Sequence, residues 1–153
     1  MNRANTSISQ FPERRNAIET QNGTPVQGWT QMQRGFGPRW MGTGTLLPDW
    51  LSDPEDRRGY LESCIEQDIA WQIRLNREAR DLTQAELAAS VGTRQSSIAR
   101  AEDPSYGKHS IAMLTKIAHA FGCALLLRFV SYREFLDRIS DTSPESLVVK
   151  ADE

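Results

Sequence analysis

From Thr93 to Ala101 the chain reads Thr-Arg-Gln-Ser-Ser-Ile-Ala-Arg-Ala, gathering Arg94, Gln95, Ser96, Ser97 and Arg100 within about two helical turns. The guanidinium groups are forked donors, the Gln95 amide is at once acceptor and double donor, and the serines are short hydroxyls. Such side chains can read hydrogen-bonding edges and phosphate oxygens. Catalysis needs a convergent polar constellation, and the two histidines, His109 and His119, lie on a loop and within an ordinary helical stripe with no adjacent nucleophile pattern. No enzyme activity is expected. Asp49, Asp53, Glu55 and Asp56 lack the glycine and regular spacing of a calcium loop and read as a solvated helix start. Cys64 and Cys123 lie far apart without CxxC or Cys/His spacing, so they read as small core residues. Neither a metal nor a cofactor is expected.

The elements that must position these side chains are helices. Leu61, Ile65, Ile69 and Ile73 recur every four residues, which predicts an amphipathic helix from Asp53 to about Arg80, with Asp53 as N-cap and Pro54 in the first turn. Thr83 followed by Glu86 is a capping-box signature that opens a helix over Gln84 to Ser90, and Gly92 stops it. A further helix runs from about Arg94 to Ala101 and is closed by the Pro104 to Gly107 loop. Ser110 caps a fourth, striped by Ile111, Leu114, Ile117, Ala118 and Phe121. Beyond Gly122, the run Ala124 to Val130 is apolar on both faces and predicts one short buried β-strand. Its backbone requires a partner, either Leu147 to Val149 or the same strand of a second copy. A short helix, Tyr132 to Ile139, follows, and the acidic tail beyond Asp141 is expected to fray.

The 153 residues carry a net charge of −2, an unpromising total for a nucleic-acid binder until its distribution is considered. Residues 1–45 hold Arg3, Arg14, Arg15, Arg34 and Arg39 against Glu13 and Glu19, whereas the acidic residues concentrate in 46–65 and beyond 141. Within Thr93 to Ala101 the only charges are Arg94 and Arg100, so that surface can approach phosphate without repulsion. Residues 1–45 have no sustained apolar period and predict a largely disordered arm, although Trp29, Phe36, Trp40 and Trp50 are aromatic enough to dock on the domain or on a partner. The domain reading is therefore an arm over 1–45, a helical domain over 54–122, a strand-helix dimerisation extension over 123–140 and an acidic tail over 141–153. No apolar stretch is long enough to span a bilayer.

The segment Thr83 to Glu102 resembles the helix-turn-helix of the lambda-repressor and Cro-like family, also called the Xre family. Leu87, Val91, Ile98 and Ala101 stand where that motif faces inward, Ala88 where its helices cross and Gly92 at its turn. The resemblance implies a mainly α fold, a lambda-repressor-like bundle followed here by the strand and C-terminal helix. It also implies a sequence-specific DNA-binding regulator, expected to be a repressor, whose helix 94–101 enters the major groove. Carried over by position, Arg94, Gln95, Ser96 and Arg100 face bases, while Gln84, Ser97, Tyr106, Lys108 and Ser110 face phosphates. Arg77 and Glu102 become a structural ion pair. Leu125, Leu126, Leu127 and Phe129 form the expected homodimer interface. The partners are then double-stranded DNA, a second copy and a possible protein partner through the arm, in a cytoplasmic, nucleoid-associated setting without membrane. Two other readings fit the same residues: an antitoxin that binds a toxin through its arm and regulates its own promoter, and a protein-binding helical module without DNA.

Overall fold

The computed structural model describes residues 22–23, 51–141 and 144–149, with side chains from 144 and 145 excepted. The rest of the N-terminal arm, and with it the expectation of disorder over 1–45, lies outside the described residues. Asn22 is described, and its Nδ2 donates to Asp81 Oδ2 at 2.8 Å.

Six helices are described: α1 (Pro54–Ala79), α2 (Gln84–Val91), α3 (Gln95–Ala101), α4 (Ile111–Ala120), α5 (Tyr132–Ser140) and α6 (Pro144–Leu147). Their ends follow local chemistry. At α1 the Asp53 carboxylate accepts from the Glu55 and Asp56 amides at 2.8 and 3.1 Å, with Pro54 in the first turn. At α2 the Thr83 amide donates to Glu86 Oε2 at 2.7 Å and the Glu86 amide donates to Thr83 Oγ1 at 3.2 Å. The Thr83 amide, together with the Thr83 hydroxyl that also donates to Oε2 at 2.7 Å, holds the Glu86 carboxyl below its usual pKa. Gly92 ends α2 at φ 72° and ψ 42°, a left-handed conformation that a Cβ disfavours. Its amide and that of Thr93 then reach back to Ala89 and Ala88 carbonyls at 3.2 and 2.9 Å, closing a Schellman motif that turns the chain directly into α3.

The core joins Ile73 of α1, Leu87, Ala88 and Val91 of α2, Ile98 and Ala101 of α3, and Ile117 and Phe121 at α4, with Ile69, Met113, Leu114 and Cys123 packed around it. Cys64 is buried, which pushes its thiol pKa up. The apolar period along α1 is only partly a core stripe, because Ile65 remains exposed while Ile73 is buried. A second face of α1, absent from that period, buries Leu75 and Ala79 against Leu147, with Trp71 and Val148 alongside.

Two expectations require correction. No β-strand is found among the described residues, and residues 123–131 carry no regular secondary structure. Leu126 is 79% exposed, and Leu125, Leu127 and Phe129 are exposed too. The apolar composition called for burial, but a strand exists only where another backbone accepts its hydrogen bonds, and Leu147–Val149 is occupied elsewhere. Nor does that C-terminal stretch fray. Asn76, buried on α1, donates through Nδ2 to the Leu147 carbonyl at 2.8 Å and accepts at Oδ1 from the Val149 amide at 2.9 Å. Arg80 adds bonds from Nη2 to the Phe121 and Val149 carbonyls at 2.9 and 3.1 Å, and burial lowers its pKa. The helix expected after the strand is present as α5, but it lies beside α1, where the Arg57 guanidinium stands 4.8 Å from the Tyr132 ring centre.

Candidate nucleic-acid interface

Helix α3 is anchored by one face and open on the other. Ile98 and Ala101 are buried; Arg94, Gln95, Ser96 and Arg100 are exposed, and Ser97 is half-buried. Arg94 is the N-cap of α3 rather than a residue of its first turn, with extended dihedrals and no side-chain capping bond, so the helix begins one residue later than its sequence pattern predicts. The guanidinium therefore leaves the turn rather than the helix flank.

Behind this face runs a chain of polar contacts. Glu102, next to the end of α3, is buried and receives Arg77 of α1 bidentately, Nε on Oε1 and Nη2 on Oε2, the latter at 2.8 Å. Arg77 Nη1 also donates to the Leu82 carbonyl at 2.7 Å. Burial alone would lower the Arg77 pKa, but the hydrogen bonds and charge of Glu102, with Glu78 nearby, hold it above the usual value. Gln84 Nε2 donates to Glu102 Oε2 at 3.0 Å, and Gln95 Nε2 donates to Gln84 Oε1 at 2.8 Å. A carboxylate only accepts, so Glu102 dictates which end of the Gln84 amide faces it, and that choice presents an acceptor to Gln95. One Gln95 N–H is thereby engaged, while Oε1 and the second N–H remain for a ligand. That is the acceptor and donor set which matches adenine N6 and N7.

The structure thus brings four of the residues singled out in the sequence, Arg77, Glu102, Gln84 and Gln95, into one connected path across α1, α2 and α3. The bond between Gln84 and Gln95 is not legible in composition or period, since its signal lies in the relative placement of two helix starts. Gln84 is correspondingly a connector, with its side chain turned to protein partners at the start of α2. The other group lies at the far end of α3. Arg100 Nε donates to the Ser96 carbonyl at 3.3 Å, and its guanidinium carbon stands 5.8 Å from the Tyr106 ring centre. Lys108 and Ser110 are exposed along the loop into α4. Ser110 Oγ caps α4 by accepting from the Met113 amide at 3.2 Å, which leaves its hydroxyl hydrogen available to an external acceptor. Leu125, Leu126, Leu127 and Phe129 lie outside this surface, on the stretch after α4.

Residues 73–127 match the family model described as helix-turn-helix, which supports the resemblance of this segment to the Xre, lambda-repressor-like family. The match supports a DNA-binding regulator of the Xre type. Comparison with curated proteins and with solved structures finds no significant match. No helix among the described residues is long and apolar enough to cross a membrane.

Proposed function

We propose that this protein is a sequence-specific transcriptional repressor that reads the DNA major groove with α3 and acts by binding rather than catalysis, in the cytoplasm on the chromosome. The observation that carries the reading is the exposed face of α3, where the Gln95 amide is oriented by Gln84 and Glu102 before any ligand arrives. In this reading Gln95 meets adenine, Arg94 and Arg100 meet guanine, and Ser96 reaches an adjacent base edge. Ser97, Lys108, Ser110 and the α2 amino terminus bearing Gln84 hold phosphates. Selection of bound sequences from a random DNA pool tests it: the expected outcome is a palindrome with half-sites about one helical turn apart. A pool that never converges overturns the proposal.

Gln95→Ala is expected to lose roughly 1–3 kcal/mol of specific binding and to relax base preference at one position, with the fold intact. Lys108→Ala should instead weaken all sequences alike and lower the salt slope by about one. Titration of the selected site and its single-base variants at several salt concentrations separates the two effects, and an unchanged base preference in Gln95→Ala would show that the groove face is misassigned.

A single helix-turn-helix covers too little DNA for tight specificity, so the regulator acts as a homodimer. The exposed side chains of Leu125, Leu126, Leu127 and Phe129 supply the interface, next to a groove of about 270 Å³ lined in part by Ile69, Leu114 and Phe121. An apolar cluster of this kind on a helical domain marks a protein contact. Leu126→Asp is expected to yield monomers by sedimentation at micromolar concentration, where the unaltered protein is dimeric; a monomeric unaltered protein overturns the interface.

A further inference from the structure

Tyr106 was expected to grip phosphate, but its surroundings assign it another task. Asp103 accepts at Oδ1 from the Ser105 amide at 2.9 Å and from the Ser105 hydroxyl at 2.7 Å, bonds that hold its carboxyl below the usual pKa. With the Tyr106 amide donating to the Asp103 carbonyl at 3.0 Å, they fold Asp103 to Tyr106 into a tight turn with Pro104 inside it. The turn reverses the chain after α3 and brings the Tyr106 ring back beside Arg100. The ring also meets a second aromatic group. His109 meets it edge-on, with centroids 6.0 Å apart and planes at 89°. His109 Nε2 in turn lies 2.9 Å from the Ala101 carbonyl. A carbonyl only accepts, so Nε2 carries the hydrogen and ties the ring to the last residue of α3.

Arg100 is therefore held between two fixed groups, the Ser96 carbonyl at 3.3 Å and the Tyr106 π-face at 5.8 Å. An unrestrained arginine on an exposed helix would lose most of its rotamer freedom on docking to a base, whereas one already held loses less. We propose that Tyr106 is a positioning residue, which sets through its ring the direction in which Arg100 reads DNA, with His109 as its brace. The inference rests on the DNA-reading role assigned to α3 and adds a determinant of specificity that touches no base. It also separates the ring from the hydroxyl. A phosphate ligand acts through the hydroxyl; a positioning residue acts through the ring.

The test compares the unaltered full chain with Tyr106→Phe, Tyr106→Leu and Arg100→Ala, on the selected DNA site and its single-base variants. Tyr106→Phe is expected to keep affinity, base preference and salt slope. Tyr106→Leu should weaken discrimination by about two- to five-fold at the base position that Arg100→Ala also relaxes, leaving the salt slope unchanged. A DNA-free readout accompanies it: the ring-current shift on the Arg100 side-chain protons should persist in Tyr106→Phe and vanish in Tyr106→Leu. A loss of affinity in Tyr106→Phe that is equal on all DNA sequences would identify a phosphate ligand and overturn the proposal. An undiminished base preference in a folded Tyr106→Leu, or an Arg100 without a ring-current shift in the unaltered protein, overturns it as well. If the unaltered protein selects no sequence while the ring-current shift is present, the DNA-reading role fails and takes the proposal with it, although the geometry stands.

Discussion

Arg77→Met is expected to lower the unfolding free energy by about 3–5 kcal/mol, because it strands a buried carboxylate. The Glu102 side chain is only 4% exposed, and Arg77 meets both its oxygens from a position that is 11% exposed. Water cannot replace the guanidinium there without opening the junction of α1 and α3. Much of the loss reflects an unpaired charge rather than the worth of the pair, so a second change should recover much of it. Arg77→Met with Glu102→Leu is expected to melt well above Arg77→Met alone, since an apolar pair of similar bulk leaves no orphan charge. Recognition should not recover with it. Without Glu102 nothing compels the Gln84 amide to present its oxygen to Gln95, so the double variant should be stable yet poorly selective. Denaturation and titration of the selected DNA site check this, and a single variant that melts like the unaltered protein would refute it.

The second large effect is at Ile98. This side chain is fully buried in the cluster formed by Ile73, Leu87, Val91 and Phe121, and it is the main apolar anchor of the seven-residue α3. Ile98→Ala is expected to cost about 2–5 kcal/mol, the lost transfer free energy plus the cavity that remains. A small domain has about 5–15 kcal/mol in total, so the loss is a large share of it. Ser96→Ala, on the open face of the same helix, should stay within about 0.5 kcal/mol. Urea denaturation of the two variants measures the contrast, and similar values for both would mean that α3 is not seated as described.

What was legible in the sequence was what sterics enforce locally. Thr83 with Glu86 is a local signal for a helix start and Gly92 for a stop, and Ile98 and Ala101 share the side of that short helix that packs inward. The pairing of Arg77 with Glu102 came instead from the resemblance to the helix-turn-helix family, and the bidentate contact is present. Apolar composition was a poorer guide after Gly122, because it specifies that Leu126 and Phe129 favour burial without specifying by what. A strand depends on a second backbone, and the partner is not encoded in the run itself. Asn76 was missed for the converse reason. A polar residue inside a helix ordinarily signals solvent, and only tertiary placement shows that its amide satisfies the Leu147 carbonyl and the Val149 amide. The bond from Gln95 to Gln84 belongs to the same class, set by how two helices meet.

The Asn76 contact to Leu147 joins residues 71 positions apart in the chain. Closing so long a loop costs more entropy than forming the short turns between α2 and α4, so it is expected to follow them during folding. The reverse step is cheap by comparison: releasing Leu147–Val149 exposes the small Leu75 and Ala79 cluster and leaves the Ile98 core intact. The molecule therefore has two tiers of stability, an inner one that holds the reading helix and an outer one that can open without unfolding it. Amide protons held by the outer tier, such as that of Val149, are expected to exchange with solvent sooner than those of α2 and α3.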